Sequence, residues 1–511
     1  MAKMLLSKSE YMMFLKHPAW LWLKKHDKDK LPPPDDNLQA MFDAGNAFEG
    51  YAEQLFAGGV RLGFDNYQEY LSLPERTKQA LAEGTKTIFQ GRFEHEQLTF
   101  ICDVLEVVGE RMVDLTEIKS STTAKADHEY DLAFQVYVLE KCGWQVRNVA
   151  VVHVNNEYVR SGAIDPNKLC SKTDVSHAVR QRLSQTERDI QSALKVMSEP
   201  TMPNPSPARC RLGSLKEWLT IYKGLVDVEE GSIFELCRLD PSLIAVLEEE
   251  GITKLRDIHP DYVQKPAQKL QLEVVRSGKQ IVKKDKIRSF LDGLEYPLYF
   301  FDYETLSSVV PYFDGMRPYG QYPFQYSLHV IDYHGATPRH MSYLHKHNSN
   351  PAESLSATLS QQIGPSGTVL AWYMGFEKAC NTTLGEMAPE YAEFFANINK
   401  RMQDLMFPFS KGWYVDAAFG GSASIKKVLP ALVPSLSYKE LDIQEGGAAQ
   451  RLWMEAVLEG KRDDEKDSIL AALDKYCELD TWAMVEIFNF LTQLVGENSI
   501  VGKPQQLALD W

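Results

Sequence analysis

Apolar and polar positions follow two rhythms along this chain, and the rhythms divide it. An apolar-periodic stretch begins after Ser7, with Glu10 three residues on, and this capping-box spacing predicts a helix start. A second helix is predicted from about Leu38 to Phe56. Strand-like runs follow at 98–108, 112–118 and 146–154, and between the last two DHEYDLAFQVYVLEKCG reads as an amphipathic helix ended by Gly143. Residues 230–260 read as short helices around a turn at Gly251. Residues 296–495 open with a buried-strand pattern, PLYFFDYETL, and close with a long helix. Such an order is that of an α/β protein, and 511 residues exceed what one core usually serves. SEPTMPNPSPARC at 198–210, with four prolines, and the charged run at about 265–295 mark the boundaries. The expected domains are therefore 1–200, 201–290 and 291–511.

Acidic residues inside apolar runs change the picture from fold to chemistry. In LTFICDVLEVVGERMVDLTEIKSS, Asp103 lies on one strand, and Glu117 and Lys119 end the next across a Gly-containing turn. Asp103 and Glu117 can then lie side by side, and two hard carboxylates so placed suit Mg²⁺ or Mn²⁺. Lys119 points to the same face as Glu117 and can steady charge developing on a phosphate. The following helix carries Asp131 and Gln135 at i, i+4, on one face. Glu49, on an earlier helix, is a candidate third carboxylate. A hairpin with polar residues at its ends is the plainer reading of the two strands.

In PLYFFDYETL, Asp302 and Glu304 are two residues apart and face one way, so they can share a metal. An unpaired buried charge is expensive, which favours a cation there; a strand end at the surface is the alternative. In KYCELDTWAMVEIFNFL, Tyr476 and Asp480 share a helix face, and a Tyr beside a carboxylate can orient a water for attack on phosphate. Glu377 lies at a strand–helix junction between these segments, with Asp404 and Asp416 as rivals for its place.

The first set resembles the PD-(D/E)xK superfamily, in particular its RecB-type branch, over roughly residues 5–165. That resemblance implies metal binding by Asp103 and Glu117, a catalytic Lys119, and contact with the substrate strand or ordering of the site by Gln135 and Tyr137. The branch usually has a His where Glu49 stands. Many relatives hold an iron–sulfur cluster, but the matching positions here offer His17 and a lone Cys210, and one thiolate cannot hold four irons, so no cluster is expected. The set Asp302, Glu304, Glu377, Tyr476 and Asp480 resembles the DEDD 3′–5′ exonuclease group of the ribonuclease H-like fold, in its Tyr-bearing variety, with Glu377 where that group has Asp. The likeness places Lys426 and Lys427 near the substrate. The order of the whole chain resembles a bacterial family of unknown function that fuses a RecB-type nuclease, a small helical-hairpin segment and a DEDD-type domain. The expected fold class is thus α/β: a restriction-endonuclease-like PD-(D/E)xK domain, a small helical linker, and a ribonuclease H-like DEDD domain.

Composition limits the partners. The net charge of −15 argues against a protein that coats nucleic acid but not against a nuclease, whose metal sites need carboxylates. Residues 264–289 reverse the balance locally, and Lys279, Lys283, Lys284, Lys286 and Arg288 either contact phosphates or form a solvated face. Residues 230–260 are a candidate helix-hairpin-helix grip on the backbone. Seven dispersed cysteines without a CxxC pair support neither disulfides nor a zinc site. No apolar run approaches the ~18–20 residues that cross a bilayer, and the N-terminus does not read as a signal peptide, so a cytoplasmic place and no membrane partner are expected. The leading expectation is a metal-dependent nuclease acting on DNA, in repair or in defence against foreign DNA. An RNA-processing 3′–5′ exonuclease, or a nucleic-acid-binding scaffold with one or both sites inactive, are the alternatives.

Overall fold

The computed structural model describes residues 4–496; residues 1–3 and 497–511, the ends of the first and last expected domains, lie outside it. The chain is mixed α/β and divides into two compact units. The first holds residues 1–230, 240–251 and 308–318, and the second holds the remainder. The expected linker, 201–290, is thus shared between the two units. Among the described residues no helix is long and apolar enough to cross a membrane.

The first unit begins with strand β1 (Leu6–Ser7), helix α1 (Lys8–Lys16), α2 (Pro18–His26) and α3 (Asp36–Ala52). Ser7 caps α1 and Glu10 completes the capping box, as its sequence predicts. There follow β2 (Val60–Arg61), α4 (Tyr67–Ala82), β3 (Thr87–His95), β4 (Leu98–Gly109), β5 (Met112–Lys119), α5 (Ala126–Lys141) and β6 (Gln145–Val154). Helix α6 (Pro166–Leu169), β7 (Cys170–Asp174), α7 (Ser176–Ser198), α8 (Leu215–Leu225) and α9 (Pro241–Glu249) complete it. The sheet order is β2-β3-β4-β5-β6-β7. Strand β5 pairs with β4 only from Val104 onward, and β1 pairs in parallel with β4 at Leu98 and Thr99. That short pairing brings the start of α1 beside the sheet. One face, with Leu105 and Leu115, packs on α1, α5 and α7 through Tyr11, Phe134 and Ile190. The other face, with Val104, Ile118 and Val152, packs on α3 through Phe48 and Ala52. The alternation of strand residues produces both cores from one sheet.

In the second unit, α10 (Pro266–Ser277), β8 (Ile281–Val282) and α11 (Lys284–Leu291) precede the main sheet. The sheet is formed by β9 (Leu298–Leu306), β10 (Tyr322–Ile331), β11 (Arg339–Leu344), β12 (Thr368–Ala371) and β13 (Met402–Asp404), in the order β11-β10-β9-β12-β13. The first three strands are antiparallel, while β12 runs parallel to both β9 and β13. Helices α12 (Ala352–Gln362), α13 (Met374–Met387) and α14 (Ala392–Arg401) cover the face that carries Tyr299, Phe301 and Tyr303. After α15 (Phe407–Ser410) and β14 (Tyr414–Val415), which pairs with β8, come α16 (Ile425–Leu432), α17 (Gly446–Trp453) and α18 (Lys466–Leu494). Helix α18 lies against the opposite face of the sheet, where Phe488 meets Phe300 edge-on.

The turn into β12 depends on one glycine. Gly367 has φ +91°, and a Cβ there would stand 2.2 Å from the Pro297 carbonyl oxygen. Gly367→Ala is expected to lower stability by about 2–3 kcal/mol, because strained backbone and a backbone clash combine. Gly375→Ala, where a Cβ meets nothing within 4 Å in a helix, should be neutral or stabilising by up to about 1 kcal/mol. Urea titration of the two variants tests this; equal midpoints would contradict the account.

Candidate active sites

In the first unit the β4–β5 register of Val104 with Thr116 sets Asp103 beside Glu117 one step further. The backbone N–H of Ile118 donates to Asp103 Oδ2 at 2.7 Å, which locks that carboxylate to the neighbouring strand. Glu117 is buried to 1% exposure and would be costly there alone. Lys119 Nζ donates to its Oε1 at 2.7 Å, Lys8 Nζ donates to the same oxygen at 2.8 Å, and Gln135 Nε2 donates to Oε2 at 2.7 Å. Asp131 joins the set, accepting from Lys119 at 3.2 Å and from Gln135 at 3.1 Å. Asp103, Glu117, Lys119 and Gln135 are therefore brought together by β4, β5 and one face of α5.

Electrostatics separate the two carboxylates. Burial opposes ionisation of Glu117, but the ammonium groups of Lys119 and Lys8 and the Gln135 amide outweigh it and hold Glu117 below the usual range. Asp103 is pushed up to about 7, first by burial and then by the Glu117 charge. Burial also opposes the charge on Lys8, yet the fields of Asp131, Glu117 and Asp103 hold it protonated. Gln135 Oε1 is buried with no protein partner, so the amide that holds Glu117 leaves one acceptor unspent.

Two residues of the expected first set lie elsewhere. Tyr137 is two positions beyond Gln135, which turns it about 200° around the helix. Its hydroxyl donates to Glu187 at 3.2 Å, and Lys141 sits over its ring. Glu49 is on α3, which packs on the Ile118 face. Its Oε1 accepts from Arg61 at 2.9 Å and from Gln90 at 2.7 Å. Gln90, at φ 56°, lies across from Asp103 on β3. His17 stacks on Trp218 and its Nε2 is 3.0 Å from the Ser206 carbonyl oxygen; Cys210 packs in the same apolar cluster.

In the second unit, Asp302 and Glu304 project from β9 toward α18, and each has an oxygen within 4.8 Å of the other's and of Cys477 Sγ. Burial raises both carboxyls well above the usual range, and Asp480 raises them further. Glu377, in the first turn of α13, is raised well above its usual range by burial and then by Asp302 and Glu304. Its Oε2 is buried without a partner. Asp480 is pushed up to about 6 by burial, against the Tyr438 hydroxyl, which donates to Oδ1 at 2.7 Å, and the Lys426 charge. Asp302 and Glu304 thus lie together beside Cys477, and the buried Glu377 and Asp480 carboxyls, from α13 and α18, are near enough for their charges to act on the pair. The orphaned Glu377 oxygen and the rise of Asp302, Glu304 and Glu377 under burial and neighbouring carboxylates fit a divalent cation, which removes both costs at once. Burial and the Glu304 and Asp302 charges keep the Cys477 thiol protonated, so oxygen donors dominate.

Tyr476 is buried one turn before Asp480, and its hydroxyl accepts from Lys426 Nζ at 3.3 Å. Lys426 Nζ also donates to the Gln444 carbonyl at 2.6 Å and lies over the Tyr438 ring. Lys427, its neighbour, is exposed. The rival acids have other tasks. Asp404 accepts from the backbone N–H groups of Tyr373 and Met374 and so anchors the start of α13, while Asp416 caps a short turn through Ala418. Lys279, Lys283, Lys284, Lys286 and Arg288 are all exposed, and Arg288 also donates to the Val495 carbonyl. Lys8 and Tyr438 are site residues that the sequence reading lacks, and Asp131, there noted only as sharing a helix face with Gln135, joins the first site.

The raised carboxyls give a pH signature. A carboxyl raised from ~3.9 in the unfolded chain to about 7, as for Asp103, or about 6, as for Asp480, stabilises the fold at low pH, and that contribution is lost as pH rises through the folded value. A divalent ion competes with those protons. The Mg²⁺-minus-chelator difference in melting temperature should therefore be near zero at pH 5 and grow through pH 7, a difference in which histidine titrations cancel. A metal increment independent of pH in that window would contradict the assignment.

Four likenesses bear on the chain. Residues 299–424 match the model of a family described as a domain of unknown function, DUF2779. The uncharacterized protein MG366 of Mycoplasma genitalium is 24% identical over 247 residues, covering 45% of this chain and 37% of that protein. Its homolog in Mycoplasma pneumoniae is 25% identical over 238 residues, covering 42% and 35%. The chain thus spans little more than a third of the length of the curated relatives it matches. A phage-related exonuclease from Haemophilus somnus 129PT is similar at 12% identity over 33% of this chain and 87% of that one, with a TM-score of 0.16, a level that does not establish a shared fold.

Proposed function

We infer that this protein is a metal-dependent nuclease with two separate carboxylate sites. One is of the PD-(D/E)xK type in residues 1–200, the other of the DEDD type in 291–511, with 201–290 as a helical connection that helps hold nucleic acid. The observation that carries the reading is the buried Asp302–Glu304 pair on β9, with the buried Asp480 and Glu377 carboxyls close enough to feel its charge and a Glu377 oxygen without a partner. The strand order β11-β10-β9-β12-β13, three antiparallel strands followed by two parallel ones, supports the ribonuclease H-like reading of this unit. Asp103, Glu117 and Lys119 on adjacent strands, with Gln135 across from them, support the first site. Glu49, whose Oε1 accepts from Arg61 and Gln90, is proposed as the third carboxylate and must leave those partners to bind the ion. Tyr137, held by Glu187 on another side of α5, is proposed as a contact to the substrate strand away from the carboxylates.

Oxygen donors select Mg²⁺ or Mn²⁺, and such ions supply the charge that activates water and stabilises the leaving oxygen. The protein's own groups do the rest. Tyr476, held by Lys426, orients the attacking water at the second site. Lys119 offsets charge on the phosphate at the first, and Lys8 keeps Glu117 ionised when Lys119 turns to substrate. The exposed row from Lys279 to Arg288, with Lys426 and Lys427, offers phosphate contacts within an acidic protein. DNA is the substrate proposed, in repair or in defence against foreign DNA.

The test is digestion of 5′- and 3′-labelled single- and double-stranded DNA, and of RNA, with Mg²⁺ or Mn²⁺. Asp103→Ala should abolish one activity and Asp302→Ala the other, with the double variant inert. Tyr476→Phe should retain metal binding and slow 3′-end trimming on the order of 10²-fold. Trimming of RNA alone would move the substrate to RNA. Inert wild-type protein on every substrate would leave a binding scaffold.

A further inference from the structure

Strands β10 and β11 set two histidines directly opposite each other, His329 against His340 in the antiparallel register. Their rings stack with centroids 4.5 Å apart. Helix α18 brings a carboxylate to the same place, so that one ligating atom from each of His329, His340 and Glu478 lies within 4.8 Å of the other two. His340 Nδ1 is 3.6 Å from Glu478 Oε1. His329 is buried, Glu478 half-buried and His340 exposed, so the cluster opens to solvent on one side.

Surrounding hydrogen bonds fix the histidine tautomers. Thr481 Oγ1 lies 3.2 Å from the Glu478 carbonyl, to which it donates as a helical threonine does. It is then an acceptor for His329 Nδ1 at 2.8 Å and for Ser327 Oγ at 2.6 Å. Ser327 Oγ in turn accepts from His340 Nε2 at 2.9 Å. With these protons placed, His329 Nε2 and His340 Nδ1 keep their lone pairs. A ligating histidine usually has its other ring nitrogen bonded in this way.

We propose that His329, His340 and Glu478 bind a divalent transition ion of the zinc class, which ties the β10–β11 pair to α18. Two imidazoles and one carboxylate form the N-rich set that zinc favours, whereas Mg²⁺ prefers the all-oxygen cluster of Asp302 and its neighbours. The donors close to about 3.3 Å around an ion with bonds of about 2.0–2.1 Å, a movement the exposed His340 can make by turning. Water, or Asp474 one turn earlier on α18, completes four-coordination. The ion's effect is positional. It fixes the helix that carries Tyr476 and Asp480 on either side of Glu478. This assignment does not depend on the nuclease reading.

Full-length protein, stripped with chelator, is titrated with Zn²⁺ by calorimetry in saturating Mg²⁺, and with Co²⁺ by visible absorption. One equivalent of Zn²⁺ should bind, and Co²⁺ should give the intense d–d bands of a four-coordinate site. His340→Ala and Glu478→Gln should each weaken this binding by about 100-fold or more, beyond what loss of an outer hydrogen bond costs, while Asp302→Ala retains it. Circular dichroism checks folding, and the exposed His340 and the isosteric Glu478→Gln give two independent folded variants. No Zn²⁺ binding in the presence of Mg²⁺, unchanged affinity in both variants, or loss in Asp302→Ala instead would each overturn the proposal.

Discussion

Like charges gathered in a buried space must be offset, and both units are organised around that constraint. Two carboxylates a few ångströms apart in low dielectric repel strongly, and neither site can keep all its acids ionised without a cation. The first unit supplies cations from the chain. Lys8 and Lys119 both meet Glu117, which stays ionised, so the cost falls on Asp103 alone. The second unit supplies less. Lys426 faces Asp302, Glu304 and Asp480 and still leaves all four carboxyls raised. The second site is therefore the more dependent on an added ion, and protons hold its place when none is bound.

The scaffold shows how acids are held in such a position. Glu377 reaches the cluster because α13 starts abruptly after β12, and that start requires Tyr373 in a left-handed conformation at φ 72°. Strain of this kind persists only where neighbours fix it. Asp404, on the adjacent β13, accepts from Tyr373 and Met374 and so holds the turn. Asp404 thus acts on the site through the backbone. At Asp480 the Tyr438 hydroxyl does the equivalent task from a loop. In the first unit the Ile118 amide holds Asp103 through a strand that would otherwise pair only by its backbone.

Much of this was legible in the sequence because an acid inside an apolar strand or helix face is conspicuous. Asp302 and Glu304 stand in PLYFFDYETL, and Asp103 in LTFICDVLEV, with no other reason to interrupt an apolar run. Helix α1, strands β4, β5 and β6 and the long final helix follow from period alone. Lys8 was not legible. It acts because β1, two residues long, pairs with β4, and so short a pairing has no periodic signal. Strand β3 escapes for a related reason: Gln90 and Gly91 interrupt its apolar alternation, and Gln90 takes φ 56°. Tyr438 lies in a loop whose path depends on tertiary contacts. Glu49 was legible only as an acid on a helix near the strands. Its helix covers the Ile118 face, and Arg61 and Gln90 take its carboxylate first.

Helix α18 shows why one short segment carries so much chemistry. Successive residues turn about 100°, so Tyr476 and Asp480 share a face, while Glu478 points about 160° away from each. The Asp302–Glu304 pair lies on the first side and the histidine pair on the second. Thr481, next to Asp480, bonds His329 and Ser327, and Ser327 stands opposite Asp302 in the β9–β10 register. Both sides of the helix are therefore fixed to the same strand pair. A rotation that improved one set of contacts would spoil the other, so α18 has one rotational setting rather than a range. That setting places the Tyr476 hydroxyl and the Asp480 carboxyl at a fixed distance from β9. Orientation by rigid elements is what the proposed reaction at phosphate needs most, since there the protein's contribution is position and charge.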